Sequence, residues 1–587
     1  MKNRVELNDE ILLGVRKPAR YIGMEHNSIT KDWDRTGAKV CLCYPDVYEI
    51  GMSHLGLKVL YHILNKQDGI LCERSFAPWH DMEEVMRQRK IPLFSLESRT
   101  PLSSFDIIGF SLQYELTYTN LLNMLDLAGL PLESSKRTGT EFPLIIAGGP
   151  SAFNPEPLAD FVDLFLLGDG EEAILEIVEC YRHLKEQGKD RNEILREMAK
   201  IEGVYVPSLY DISYAGDKIE AIRPVSSDIP DTVTKRTVKS LRSDDYPTSP
   251  IVPYISTIHD RISLEIMRGC AHNCRFCQAR SIYGPPRMRK TDELIDLARE
   301  SYKNTGFDEL SLVSLSSSSY PHIKELINSL TEIFAPLGVG IALPSLRVEE
   351  DLEKLPSLIS MIKKSGLTFA PEAGTEKMLG IIKKNIQLKE LFDALRQAYK
   401  MGWRKVKLYF MIGLPQEDDS DLEAIIDLAD KLALLKKESS RSPAEITISV
   451  SSLIPKPHTP FQWMPMTGED ELKRRQRFLL DKVRGKRYLR LKMHDVKTSV
   501  LEGIFSRGDR RLGPVLRDAW KSGARFDAWS ESFNPAIWED ALLKNRIDKD
   551  CYLRMRDCDE ILPWERISCG MSKDALVEEH KSSLKIT

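Results

Sequence analysis

Three cysteines inside eight residues, Cys270, Cys274 and Cys277, have the spacing that most plainly serves chemistry in this chain. They stand in Met267-Arg-Gly-Cys270-Ala-His-Asn-Cys274-Arg-Phe-Cys277, a C-x3-C-x2-C arrangement that lets three thiolates converge. Thiolates hold iron-sulfur clusters, and three of them leave the fourth iron of a 4Fe-4S cluster without a protein ligand, open to another molecule. Zinc is the competing occupant, but tetrahedral zinc takes four ligands and would need His272 or a distant residue as the fourth. Ten cysteines are few for 587 residues and unevenly spread, which speaks against a secreted disulfide framework. Cys551, Cys558 and Cys569 are too widely spaced to read as a second cluster.

The elements that must position these thiols are legible as strand and helix signals. Residues 262–269 read as a strand running directly into the cysteine loop, followed by strand candidates at 309–316, 340–346, 366–372, 405–414 and 445–453. Six strand-helix units within some 200 residues predict a parallel barrel, complete or partial. Upstream, the strand candidates 37–45, 105–112, 143–150 and 163–170 alternate with amphipathic stretches such as 53–67, and predict an open, doubly wound, Rossmann-like α/β domain. The fold class is therefore α/β throughout. Expected boundaries are an N-terminal extension (1–35), the first α/β domain (36–187), a proline-rich connector (188–255), the barrel (256–470) and a basic C-terminal region (471–587).

Bulk properties set limits. Hydrophobic residues make up 42% and charged residues 29%, with a formal net charge of -4, which excludes global disorder and names no polyanionic partner. The N-terminus lacks a continuous apolar signal segment, and no stretch approaches the roughly 18 apolar residues that span a bilayer. A cytoplasmic location and no membrane partner are the expectation.

With the C-x3-C-x2-C loop placed after the first barrel strand, the chain resembles the radical S-adenosylmethionine superfamily over about residues 256–470. The resemblance implies a (βα)6 partial TIM barrel and a 4Fe-4S cluster on Cys270, Cys274 and Cys277. It also implies S-adenosylmethionine chelated at the open iron and split to a 5'-deoxyadenosyl radical, with the electron supplied by a reduced flavodoxin or ferredoxin. It assigns cofactor contacts to the strand ends: Phe276 beside the adenine, Ser316 and Ser317 where the family often has a Gly-Gly-Glu-like motif, then Ser345, Arg347, Glu372, Lys407 and Gly413. For each, an ordinary structural role is the competing reading, since polar strand ends are common in α/β folds.

The first domain resembles cobalamin-binding modules in position and alternation. Where those carry D-x-H-x-x-G with a cobalt-ligating histidine, this chain has Asp46-Val-Tyr48-Glu-Ile-Gly51, and a phenol is a poor substitute for imidazole. His54 is close by at a different spacing and also reads as a helix-start residue. Ser111, Gly148 and Gly149, together with Gly168-Asp-Gly-Glu-Glu172, match the later signatures, and glycines there would admit a ligand close to the backbone. Bound cobalamin without a histidine ligand is one expectation; a corrin-free docking or substrate domain is the other. Distinctive segments such as 114–120, 154–161, 455–463 and 501–511 extend the resemblance to a group of radical S-adenosylmethionine proteins with such an N-terminal domain.

The C-terminal region is rich in Lys and Arg between Lys473 and Arg525, interleaved with Phe478, Tyr488, Phe505 and Trp520, which suits either an RNA backbone or a solvated surface. The proline-rich segment Pro455–Trp463 is expected to line a substrate mouth or to pack. Three functions follow: a radical S-adenosylmethionine enzyme, extending to cobalamin-dependent methylation of an unactivated carbon in a small molecule; modification of tRNA or rRNA of the methylthiotransferase type; or a non-catalytic sensor of iron-sulfur cluster or corrin.

Overall fold

In the computed structural model, which describes residues 4–342 and 366–586, the apolar run after Gly37 forms strand β1 (Ala38–Tyr44), buried along almost its whole length. A strand covered on both faces needs such a continuous apolar sequence. It pairs in parallel with β2 (Ile70–Phe76) and β3 (Ile107–Ser111). Strands β4 (Leu144–Gly148) and β5 (Leu164–Leu166) and an antiparallel edge, β6 (Val204–Tyr205), complete the order 2-1-3-4-5-6. The helices between them include α1 (Leu55–Asn65), α2 (His80–Arg89), α3 (Tyr118–Leu127) and α4 (Ala173–Glu186). This is the doubly wound domain expected from the sequence. Its strand order reverses between β1 and β3, where such sheets open a crevice beyond their C-terminal edge.

The second alternation runs β7 (Ile262–Glu265), α5 (Thr291–Thr305), β8 (Glu309–Val313), α6 (Ile323–Phe334) and β9 (Gly340–Ala342), giving a three-stranded parallel sheet. After the undescribed residues come β10 (Leu367–Glu372), α7 (Leu388–Lys400), β11 (Lys405–Ile412), α8 (Asp419–Leu435) and β12 (Glu445–Ser452). Five of the six predicted strands are present in full or large part, and of the expected strand 340–346 the described residues hold Gly340–Ala342, the rest lying outside them. A seventh, β13 (Leu489–Met493), reached through α9 (Glu469–Val483), extends the second sheet to four strands and lies within the stretch read from sequence as a basic tail. Ile262 and Leu264 pack in one apolar cluster with Leu294 and Leu330 of the covering helices, while Ser263 and Glu265 turn to the other face. The period of two thereby separates core from site.

Four basic residues of α9 and the loop after it are used inside the fold. Arg474 pairs with Asp419 at 2.8 Å, Arg475 with Glu417, Lys482 with Glu423 at 2.5 Å and Lys486 with Asp430 at 2.7 Å, all four carboxylates being on or just before α8. These cations are neutralised by their neighbours, which removes the physical ground for reading that part of the stretch as a phosphate track. Among the described residues no helix is long and apolar enough to cross a membrane.

Beyond the second sheet, α10 (Val496–Arg507) ties the modules together. The buried Arg507 guanidinium donates to the carbonyls of Tyr552 at 2.6 Å, Gln462 at 3.0 Å and Arg554 at 2.9 Å. Asn154 of the first domain donates to the Gly508 carbonyl at 2.9 Å, and Lys456 bridges Glu115 at 2.7 Å and Glu502 at 2.8 Å. The segment around Pro455–Trp463 is therefore packing: His458, Phe461, Gln462 and Trp463 are buried, and the His458 ring bonds the Phe153 carbonyl at 2.9 Å. Between 188 and 255 the chain is more regular than its prolines suggest, with a helix at Arg191–Met198 and a hairpin of Tyr210–Ala215 with Lys218–Pro224.

Burial lowers the pKa of His458 to about 4, so the folded protein keeps the ring neutral where an unfolded chain takes up a proton. Its contribution to stability is complete above pH 6.5 and is lost as pH falls toward 4, on the order of 3 kcal/mol in all. The apparent Tm of the wild type should therefore fall more between pH 7 and pH 4.5 than that of His458→Gln, by several degrees. Equal falls would contradict the assignment.

Candidate functional site

The cysteine loop is set by what precedes it. Beyond β7 the pair Met267–Arg268 folds back in antiparallel register on Arg287–Met288, and Gly269 follows with φ of 85°. A Cβ on Gly269 would lie 2.7 Å from the Tyr283 carbonyl oxygen and 2.8 Å from that of Pro285, so glycine alone fits between Arg268 and Cys270. Arg275 anchors the far side of the loop: its amide donates to Ile382 O at 2.9 Å, and its guanidinium reaches Ile381 O at 3.0 Å and Glu579 at 3.0 Å. Cys274 is buried, and Cys270 and Cys277 are half-buried. Burial pushes the Cys277 thiol above its ordinary pKa, while the N–H groups of Arg280 and Ala279 favour its thiolate.

Among the described residues no three His, Cys, Asp or Glu side chains stand where they could share one metal ion. A mononuclear zinc site needs such convergence on a single centre. A cubane takes each thiolate on a separate iron and so accepts a wider spread of ligands. The donor set, three thiols on one short loop, fits the cluster better than the ion.

The serine run after β8 meets this loop. Ser319 bonds the His272 ring at 3.1 Å and Ser316 at 2.8 Å, while Ser317 bonds Ser314 at 2.9 Å. Ser316 and Ser317 are buried and already partnered, whereas the Ser318 hydroxyl is buried without a hydrogen-bond partner. Ser318 is therefore the member of the run with unspent bonding capacity. Phe276 packs against the apolar cluster that contains Met378, Leu414 and Phe461.

The remaining strand-end candidates are dispersed. Glu372, at φ of 70°, pairs with Lys384 at 3.1 Å, and burial raises its pKa. Lys407 donates to the Tyr409 hydroxyl at 2.6 Å and lies over its ring. Gly413 donates to Glu417 at 2.6 Å and accepts from Thr467 at 3.2 Å, a local turn closure. Ser345 and Arg347 lie outside the described residues. None of the described barrel candidates lines the cavity formed with the first domain.

That cavity, of about 560 Å³, opens between the C-terminal edge of the first sheet and the face of β7 and β8 that carries Ser263, Glu265 and Ser311. Ser111, Gly148 and Gly149 line it, joined by Gly168 to Glu171. Gly149 has φ of 108°, and a Cβ there would come within 2.5 Å of the Leu112 carbonyl, so its backbone is bared by necessity. Arg268 and Gly269 form part of the opposite wall, which brings the cysteine loop to the cavity's edge.

Neither Tyr48 nor His54 offers this space an uncommitted ring donor. Tyr48 donates its hydroxyl to Glu25 at 2.8 Å, within a buried group in which Arg74 also binds Glu25 at 2.9 Å and Glu97 at 2.6 Å. His54 lines the cavity, but its Nδ1 caps α1 by accepting from the Leu57 amide at 3.1 Å. Burial lowers its pKa to about 4, and the ring also bonds Gln113. A neutral imidazole that accepts at Nδ1 carries its proton on Nε2, leaving no lone pair for a metal.

What sequence reading did not supply is the ionic group that joins the cavity wall to the cysteine loop. Arg268 binds Asp169 at 2.9 Å, Glu171 at 2.6 Å and Glu265 at 2.9 Å; Arg287 also pairs with Asp169, and the Val238 amide donates to it at 3.0 Å. Arg268 stood visible two residues before Cys270, but its partners 97 and 99 positions away left no local signal. Cys551, Cys558 and Cys569 are half-buried free thiols, Cys569 pushed up to about 12 by burial.

Comparison with known proteins follows the same division. Residues 56–207 match the family described as radical SAM proteins, N-terminal, and residues 264–429 match the radical SAM superfamily. An uncharacterised protein of Methanocaldococcus jannaschii is 31% identical over 481 residues, covering 81% of this chain and 90% of its own. A putative methylthiotransferase of the same organism is 24% identical over only 27% of this chain and 37% of its own. Among solved structures, the radical S-adenosylmethionine methyltransferase TsrM from Kitasatospora setae, with cobalamin and a 4Fe-4S cluster bound, aligns with a TM-score of 0.49 and 14% identity over 73% of this chain and 74% of that one. A cysteine loop closing a parallel barrel strand and family matches across both halves lead to one conclusion: this chain is a member of the radical S-adenosylmethionine superfamily.

Proposed function

We propose that the chain is a radical S-adenosylmethionine enzyme that holds a 4Fe-4S cluster on Cys270, Cys274 and Cys277 and a corrin in the cavity between its two sheets, and that it methylates an unactivated carbon of a small molecule. The observation that carries this reading is the placement of Arg268 and Gly269, which wall the cavity and lead directly into Cys270. The cluster, when bound, supplies the electron that splits the sulfonium of S-adenosylmethionine into methionine and a 5'-deoxyadenosyl radical, and a reduced flavodoxin or ferredoxin replaces that electron. The corrin, when bound, would carry a methyl group taken from a second molecule of S-adenosylmethionine, leaving S-adenosylhomocysteine.

The chain's own residues orient and exclude water. Ser318, whose hydroxyl is shielded and unpartnered and whose neighbour Ser319 bonds His272, offers a hydroxyl for the methionyl amine. Ser111, Gly148 and Gly149 offer backbone and small side chains to a flat ligand face, consistent with cavity volumes that hold organic cofactors. Tyr48 and the Nε2-protonated His54 would give a corrin no phenol or imidazole ligand from this wall. The methylthiotransferase reading with an RNA substrate is weaker, because α9's cations are paired within the fold.

Anaerobic reconstitution should give about four irons per chain, and reduction with S-adenosylmethionine should release 5'-deoxyadenosine. Cys274→Ala, with its circular dichroism unchanged, should lose both; retained 5'-deoxyadenosine would overturn the ligand assignment. Ser111→Trp should intrude into the cavity and weaken hydroxocobalamin binding about tenfold or more while leaving iron content intact, about 1.4 kcal/mol or more in affinity. Unchanged binding would place any corrin elsewhere.

A further inference from the structure

We propose that the Asp169–Arg268 ion pair couples the two cofactor sites, so that ligand in the interdomain cavity and an assembled cluster on the cysteine loop strengthen one another. The inference rests on the corrin reading of that cavity. Its ground is geometric. Asp169 belongs to the loop from Gly168 to Glu171, which forms one wall of the cavity, and Arg268 belongs to the opposite wall and precedes Cys270 by two residues. The link between them is half-buried, direct and charged at 2.9 Å, and Glu171 reinforces it at 2.6 Å.

Both loops are held too tightly to absorb a displacement locally. A Cβ on Gly168, whose φ is 101°, would come within 2.0 Å of the Arg236 carbonyl, and the Asp169 amide donates to that same carbonyl at 2.9 Å. Gly269 is confined in the same way between Arg268 and Cys270. A ligand leaning on the Gly168–Gly170 backbone therefore shifts Asp169, and the shift reaches the cysteine loop through Arg268. Arg268, Arg287 and Arg289 face Asp169, Glu171 and Glu265, with Arg289 to Glu265 at 3.9 Å, so the group balances three positive charges against three negative ones. Coupling through such a link is reciprocal, because each site changes the other's binding free energy by the same amount.

The test is a hydroxocobalamin titration, read by absorbance, of apo protein and of cluster-reconstituted protein under anaerobic conditions. In the wild type the cluster should tighten binding by about fivefold or more. In Asp169→Asn the ratio should fall to about one with iron content retained, and Asp169→Glu should restore part of it. Asp169→Asn should also shift the cluster's midpoint potential positive, since it leaves an unbalanced guanidinium beside the loop. Should that variant fail to fold, Glu171→Gln removes the second carboxylate on Arg268 while keeping the contacts of Asp169 to Val238 and Arg287, and should lower the ratio. A wild-type ratio of one, or a full ratio in the folded variants, overturns the coupling alone. Absence of any hydroxocobalamin binding to the wild type overturns the corrin reading together with it.

Discussion

The position of the cysteine loop depends on one crowded junction, Arg268-Gly269-Cys270. Gly269 fits only because it has no Cβ, and Arg268 is fixed by three carboxylates drawn from two modules. Buried charges of this kind are costly to separate, since removing one partner leaves the other unsolvated, typically at about 3–5 kcal/mol. The junction therefore fixes the end of β7, the loop that follows it and the wall of the cavity as one unit. The first domain is held to the site by charge as well as by apolar contact.

A second seam, away from the cysteines, keeps the same modules in register. Arg507 ends in three backbone carbonyls, Asn154 reaches the carbonyls that follow α10, and Lys456 lies between Glu115 and Glu502. These contacts explain why the distinctive segments at 154–161, 455–463 and 501–511 look so specific in sequence without touching the cavity. They are joints. Arg507, Asn154 and Lys456 each spend buried donors on acceptors of a neighbouring module, which constrains their residue types.

Much of this was legible beforehand. Strands such as 38–44 and 405–412 announce themselves by apolar runs or alternation, and the cysteine spacing carries its chemistry within eleven residues, from Met267 to Cys277. Ser111, Gly148 and Gly149 were also readable, because strand-end small residues sit where an open sheet has its crevice. Strand β13 escaped because Arg490 and Lys492 alternate with its apolar residues in a stretch dominated by Lys and Arg, and composition masked the period. Asp169 and Arg268 escaped as partners because an ion pair across 99 residues leaves no periodic trace. Tyr48 shows the reverse case: its departure from histidine was plain, but only the fold reveals that its hydroxyl turns to Glu25.

The central claim is that the three cysteines hold a cluster with one iron open to S-adenosylmethionine. Electron paramagnetic resonance of the reconstituted and reduced protein, recorded with and without S-adenosylmethionine, reads that open iron directly. The expected result is the signal of a reduced 4Fe-4S cluster whose g-values move when S-adenosylmethionine is added and stay put when buffer alone is added. A cluster signal indifferent to S-adenosylmethionine, or folded protein that assembles no cluster, would contradict it.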